Sequence, residues 1–191
     1  MQKRIKQNVY RTKRLELREL RVADWAGWAH AHETALPKQN EWDLTPVPAS
    51  RRQKSRFKRQ LEAQRKRFKK DEVYLWTMFS RETGEFLGWI DISKIARGHH
   101  QIANLGWFTM NRHRGQGYAK EAVTKLISAA FTDLGFHRLE ASIHPRNKAS
   151  IAMARACGLR REGVKKFYLK HNDVWQDHVV FITTPELFYE R

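Results

Sequence analysis

Two glycines placed between a strand signal and the longest amphipathic helix signal constrain this chain more than any other feature. The segment Arg112-His113-Arg114-Gly115-Gln116-Gly117-Tyr118-Ala119 ends a polar loop and opens a helix read over 118–134. In that helix Ala119, Ala122, Val123, Leu126, Ile127, Ala130, Phe131 and Leu134 share one face, and Gly135 suits the C-terminal cap. Glycine removes Cβ where a backbone must curl tightly. Successive N–H groups can then converge at the helix N-terminus, which makes a nest for an anion such as a pyrophosphate. The string is not a P-loop, because no Gly-Lys-Ser/Thr follows, and it lacks the third glycine of the dinucleotide fingerprint. An ordinary tight loop is the alternative.

Around that centre, strand and helix signals alternate. Thr12–Leu20 sets Leu15, Leu17 and Leu20 among polar residues, as a strand does, and Asp24 is placed to cap a helix starting at Trp25. Pro37, Pro46 and Pro48 bracket a loop. Val73–Phe79 and Phe86–Ile92 flank the turn Glu82-Thr83-Gly84, and Gly98-His99-His100 turns into Ile102–Thr109. After the long helix, Leu139, Ala141 and Ile143 alternate inward. Pro145-Arg146-Asn147 opens a short helix that ends at Cys157-Gly158, and strands near Lys165–Leu169 and Trp175–Ile182 flank the turn His171-Asn172-Asp173. The pattern predicts one mixed α/β domain of about seven strands and about four helices.

Charge narrows the company such a domain keeps. The 191 residues carry 37 Lys/Arg against 20 Asp/Glu, a net charge of +17. Residues 51–70 alone hold eleven basic residues and one acid, Glu62. Phe57, Leu61, Gln64 and Phe68 recur there at helical spacing, so the stretch reads as a helix with a thin apolar stripe and a wide basic face. It is either a solvated face or a contact surface for nucleic acid, the ribosome above all. Lys3, Arg4, Lys6, Arg11, Lys13 and Arg14 extend that basic character to the N-terminal arm. No apolar run approaches the ~20 residues that span a bilayer, and no secretory leader is read, so a cytoplasmic protein without membrane insertion is expected. The single cysteine, Cys157, excludes an internal disulfide and reads as a buried thiol. His99-His100 lacks further ligand spacing, so no metal is expected. His30 and His32, two apart on a helix, share no face. The tryptophans are expected mostly in the core.

The glycine string is similar to the Q/R-x-x-G-x-G/A motif of the GNAT superfamily of N-acetyltransferases. Thr12-Lys13-Arg14-Leu15-Glu16-Leu17-Arg18 resembles the T-x-R-L-x-L-R opening of its RimJ/RimL-like branch. Leu105-Gly106-Trp107-Phe108 resembles the branch's I-G-Y-W strand, Asn147-Lys148-Ala149-Ser150 its N-x-x-S segment, and Trp175-Gln176-Asp177 its W/Y-x-D close. These motifs run in the family's order from about residue 10 to 182. The resemblance implies a single GNAT domain over 1–191, with a basic arm at 1–11 and a basic helix at about 50–70, built on a mostly antiparallel mixed sheet. It implies acetyl-CoA as donor, CoA as product, and direct attack of an amine on the thioester.

By the same resemblance, the amides of His113, Arg114, Gly115, Gln116, Gly117 and Tyr118 hold the pyrophosphate, and Arg112 and Arg114 add charge, although Arg114 reads equally as a surface arginine. Asn147 bonds the pantetheine arm or caps its helix, or does both. Ser150 returns a proton to the leaving thiolate or is a helix-start hydroxyl. Ala154 stands where a RimI-like tyrosine would be. The oxyanion falls to a backbone N–H where the strand around Phe108 separates from the strand ending near Ile143. Trp42 is placed to cover the acceptor slot.

The chain departs from the pattern at Asn104, where the family often carries a glutamate base, and at Leu169, where RimL-like chains place a second one. An amide orients a water but takes no proton at neutral pH. Asp91, His144 and Asp177 are the remaining candidates, unless the protein binds CoA and turns over poorly. An α-amine, with a pKa of about 8, needs less help than a lysine at about 10.4, which points to a protein or peptide N-terminus as acceptor. A ribosome-binding module with little turnover and a small-molecule amine acetyltransferase are the alternatives. Monomer and homodimer both stand open.

Overall fold

The computed structural model describes residues 8–171 and 173–190, so Lys3, Arg4, Lys6 and the turn residue Asn172 lie outside the described residues. The strands are β1 (Tyr10–Arg11), β2 (Leu15–Arg18), β3 (Val73–Ser80), β4 (Phe86–Ala96), β5 (Ile102–Thr109), β6 (Arg138–Ile143), β7 (Arg160–His171) and β8 (Val174–Thr183). The helices are α1 (Trp25–Glu33), α2 (Lys54–Lys69), α3 (Tyr118–Thr132), α4 (Lys148–Ala156) and α5 (Pro185–Tyr189). Among the described residues these eight strands form one sheet in the order β1-β2-β3-β4-β5-β6-β8-β7. The GNAT fold expected from the sequence is present, with one more strand and one more helix. β1 has two residues and α5 five, each too short to show a period.

Every neighbouring pair is antiparallel except β5 and β6, which are parallel. A parallel pair needs a crossover, and α3 supplies it. The crossover places the glycine loop at the end of β5 and at the start of α3.

Alternation then divides the side chains between two layers. Ile90, Ile92, Leu105, Leu139, Ala141 and Phe181 pack with Val123, Leu126 and Ile127 of α3. On the other face, Trp28 of α1 and Phe57 and Leu61 of α2 close over Leu20, Phe79, Phe86 and Met110. The expected stripe of α2 is the buried one, while eight of the helix's basic residues are exposed. Trp76, in the core on the α3 face, is fully buried. Truncating such a residue to alanine costs about 3–5 kcal/mol.

Several expectations are corrected. Asp24 occupies the α1 N-cap position but makes no side-chain cap. Its carboxylate instead accepts both Arg18 Nη atoms, at 2.6 and 2.9 Å, and the Arg21 N–H at 2.6 Å. Trp175 is 56% exposed on the β7–β8 hairpin rather than in the core. β4 extends to Ala96, and β7 runs from Arg160 to His171 around an irregularity between Lys165 and Leu169.

Candidate active site

The glycine loop is built from main chain. Asn111–His113 form one turn of 3-10 helix, closed by His113 N–H to Met110 O at 2.9 Å and Arg114 N–H to Asn111 O at 3.2 Å. Those two amides are therefore engaged inside the turn. Gly115 and Gly117 follow at φ of 75° and 79°, the left-handed region that a Cβ disfavours. Gly117 is the N-cap residue of α3, and its carbonyl accepts the first helical bond, from Glu121 N–H at 3.1 Å. The amides of the next residues belong to the first turn, which has no intrahelical acceptors for them.

The arginines sort differently from expectation. Arg112 donates from Nη2 to Thr34 O, and its Nε is buried without a partner among the described residues. Arg114 donates from Nη1 to the buried Asp43 carboxylate at 2.7 Å and from Nε to Thr109 O at 3.3 Å. Both hold the segment after α1 rather than facing the loop. The basic group beside the loop is Arg14. It donates to Gln116 O at 2.8 Å and to Glu121 Oε2 at 2.7 Å, and its guanidinium lies 4.5 Å from the Tyr118 ring centre. The T-x-R-L opening carried that signal, and Thr12 completes the staple by donating to Glu121 at 2.6 Å.

Beside the loop the sheet divides. β5 and β6 pair only at Ile102, Ala103 and Asn104 with Arg138, Leu139 and Glu140. Beyond that they separate, with Leu105–Thr109 still paired to β4 and Ala141–Ile143 to β8. This is the separation that the sequence placed between Phe108 and Ile143. Thr109 Oγ1 and Ser142 Oγ, one on each diverging strand, are buried without a hydrogen-bond partner among the described residues. A ligand carrying its own donors and acceptors, as a pantetheine arm does, fits such a gap. At the start of α4 the Asn147 carboxamide accepts Ser150 N–H at 3.0 Å, so Asn147 is the cap and the Ser150 hydroxyl is not.

The far face of the sheet holds a cavity of about 380 Å³ between β3–β5, α1, α2 and the loop before α2. Trp28, Phe86, Trp89, Phe108 and Met110 line it, with His32, Thr77 and Gln64 among its polar members and, among the described residues, no carboxylate, lysine or arginine. The Phe108 ring stacks on Trp89 at 4.4 Å and faces this cavity, so only the Phe108 main chain lies along the divergence. Burial, with the Arg52 charge, pushes the His32 imidazole down to about 4.

Above the divergence runs the segment from Thr34 to Pro48. Asn111 Nδ2 donates to Pro37 O at 3.0 Å and to Asp43 Oδ2 at 3.2 Å on the β5 side. On the β6 side Trp42 stacks 4.6 Å from His144, and Arg146 pairs with Glu41 at 2.8 Å. Trp42 thus covers the mouth of the gap.

The three alternative proton acceptors have other partners. Asp177 accepts Phe167 N–H at 3.0 Å and Lys166 Nζ at 2.7 Å and so anchors a bulge in β7. His144 accepts Arg146 N–H at 3.1 Å and stacks under Trp42. Asp91 accepts the Ser93 hydroxyl at 2.9 Å, and burial pushes its carboxyl up. Gly106 leaves the room for it, since a Cβ there would lie 2.4 Å from Asp91 Oδ1. Asn104 contacts Tyr168, a half-buried residue of β7 to which no sequence signal pointed.

Comparison with known proteins follows the same lines. The family model described as an acetyltransferase (GNAT) domain matches residues 14–160. The protein named Probable N-acetyltransferase YjcK, from Bacillus subtilis (strain 168), is 36% identical over 121 residues, which are 63% of this chain and 67% of that protein. The solved structure of Mycobacterium smegmatis RimJ in complex with CoA-disulfide has a TM-score of 0.73 and 25% identity, covering 90% of this chain and 82% of that one. RimL, described as a ribosomal L7/L12 alpha-N-protein acetyltransferase in complex with coenzyme A, shares the fold at a TM-score of 0.72 and 15% identity, over 92% and 97% of the two chains.

Proposed function

The chain belongs to the GNAT family of acetyltransferases and is an N-acetyltransferase, and from that premise we propose that its acceptor is the α-amino group of a protein or peptide, a ribosomal protein being the favoured class. The observation that carries the acceptor reading is the cavity beside Phe108. Its lining is apolar or neutral, so it suits an uncharged side chain next to the amine and offers no carboxylate to a polyamine's second ammonium. RimJ as a structural neighbour supports the same class.

Acetyl-CoA supplies the acetyl group as a thioester. In this reading Gly115, Gln116, Gly117 and Tyr118, with the first turn of α3, bind the pyrophosphate through main-chain N–H groups. Arg14 fixes that loop. Asn147 uses Oδ1 for its cap, which leaves its NH2 to orient the pantetheine arm. Ser150 gives a proton to the departing sulfur. A main-chain N–H beside Phe108 stabilises charge on the carbonyl oxygen. Arg112 and Arg114 act as struts of the covering segment. A cytoplasmic location is part of this reading.

A panel of amines tests it. Transfer is expected to short peptides with a free, apolar first residue, and none to the same peptides with a blocked N-terminus and an internal lysine. Preference for spermidine would overturn it. The exposed basic face of α2 favours an accompanying contact with ribosomal RNA, which predicts RNA binding that weakens steeply with salt.

A further inference from the structure

We propose that Tyr168 is the general base of this enzyme, taking the proton of the acceptor's ammonium on Oη. The inference rests on the N-acetyltransferase reading above and names the group that Asn104 leaves unassigned.

The placement begins with backbone. Register between β7 and β8 slips between Lys165 and Leu169, and Phe167 takes a φ of 49°, unusual for a residue with a side chain. Asp177 holds this bulge through Phe167 N–H and Lys166 Nζ. A bulge re-aims the side chain that follows it. Here Tyr168 turns onto the face of the sheet that carries Asn104, while Phe167 is 72% exposed. Asn104 is the last β5 residue paired to β6, so the phenol stands at the root of the divergence, where the two halves of the site meet.

Its neighbours suit a phenolate. From β4, Lys94 Nζ donates to Tyr168 Oη at 3.2 Å and lies 4.9 Å from the ring centre. From β7 itself, Lys165 Nζ lies 4.9 Å from the same ring, and Glu140 of β6 engages that ammonium at 2.6 Å. From β8, the His178 ring stands 5.8 Å away edge-on, with His144 a further 5.8 Å beyond it. Burial holds the His178 imidazole below its ordinary value. From β5 comes Asn104, a neutral amide that can donate to the oxygen; a glutamate there would repel the phenolate. Burial pushes the phenol up, but hydrogen bonds to Lys94 and Asn104 and the charges of Lys165 and Lys94 hold it net below its ordinary value. A phenol whose ionised form its neighbours favour is the better base.

The step balances without a co-reactant. The N–H bond of the ammonium breaks, the proton bonds to Tyr168 Oη, and the nitrogen keeps the pair that attacks the thioester carbonyl; the C–S bond then breaks with its pair on sulfur, Ser150 protonates that sulfur, and the second proton shed by the nitrogen restores the Ser150 hydroxyl. The phenol returns its proton to solvent after turnover.

Two measurements test this. Whichever amine the panel shows to be accepted is used with Tyr168→Phe. kcat/KM should fall about a hundredfold, with acetyl-CoA binding by calorimetry unchanged. Independently of activity, phenolate absorbance of the unliganded protein should show one tyrosine titrating below the others, absent in Tyr168→Phe and shifted upward in Lys94→Gln. Tyr10 and Tyr74 do not interfere, because burial and the neighbouring Asp133 and Asp71 push them well above their ordinary value. An unchanged kcat/KM in Tyr168→Phe, or no early-titrating tyrosine, overturns the inference. A failed peptide panel with an intact early titration overturns only the choice of acceptor.

Discussion

In the proposed reading, the donor side and the acceptor side of the site are held by different kinds of matter. On the donor side the working surface is main chain: a 3-10 turn, two left-handed glycines and the first turn of α3, stapled by Arg14, Thr12 and Glu121. On the acceptor side it is side chain: a stacked Trp89–Phe108 pair, a buried imidazole and a polar cluster around Tyr168. The first kind of surface tolerates changes of residue but not an added Cβ. The second keeps its backbone under substitution but is sensitive to charge and volume. An enzyme with one donor and many conceivable acceptors gains from that division, since acceptor choice can change without disturbing the donor.

Acid should separate the two sides most strongly. His32 has a folded value of about 4 against about 6.5 unfolded, so the unfolded chain binds more protons between those values. Its contribution is complete above pH 6.5 and is lost as pH falls towards 4, about 3 kcal/mol in all. On the donor side burial pushes the Glu121 carboxyl up, yet Thr12 and Arg14 hold it net below its ordinary value, so that staple survives to lower pH. Urea unfolding at stepwise lower pH should show this slope, and His32→Gln should flatten it. An unchanged slope in the variant would remove His32 from the account.

Gly117→Val attacks the donor side. A side chain at a φ of 79° costs about 1–3 kcal/mol, and the new Cβ would meet Arg14 Nη2 at 3.3 Å. Acetyl-CoA should bind about ten- to a hundredfold more weakly by calorimetry, whereas Gly115→Ala, whose Cβ meets nothing within 4 Å, should cost less. Equal binding in wild type and Gly117→Val would break the nest assignment.

A smaller effect sharpens the border between the sides. Arg114→Ala leaves the buried Asp43 with Gln39 N–H and Asn111 as remaining partners. Stability should fall by about 1.5–3 kcal/mol in urea, with acetyl-CoA affinity retained. Loss of affinity without loss of stability would return Arg114 to the phosphate. Smallest of all, Arg56→Ala with Lys58→Ala on the exposed face of α2 should move stability by no more than about 0.5 kcal/mol. The same pair should make the logarithmic salt slope of single-stranded RNA binding shallower by about 0.7 for each phosphate that goes unneutralised.

What could be read in advance follows the same division. The α3 stripe, the glycines and the Asn147 cap are local, because period, turn chemistry and short motifs encode them within a few residues, whereas the separation near Phe108 comes only with the family resemblance. Tyr168 was not legible. Its aim depends on a two-residue slip around Phe167 and on Asp177, ten residues away across a hairpin. Arg112 and Arg114 misled for the opposite reason. Their position beside a phosphate-type loop is local, while their partners, Thr34 and Asp43, are 78 and 71 residues distant.

With β5 and β6 joined at only three rungs, the sheet is mechanically two plates, β1–β5 and β6–β8, sharing a short seam. The segment carrying Glu41, Trp42 and Asp43 ties the plates across the open end, firmly to the first through Arg114 and Asn111 and lightly to the second through His144 and Arg146. Asn104 and Phe108 ride on one plate, Tyr168 and Ser150 on the other. In the proposed mechanism the yaw between the plates therefore sets the reach from Tyr168 and Ser150 to the carbonyl beside Phe108, and displacements of about 1 Å in that reach are worth about a hundredfold in rate.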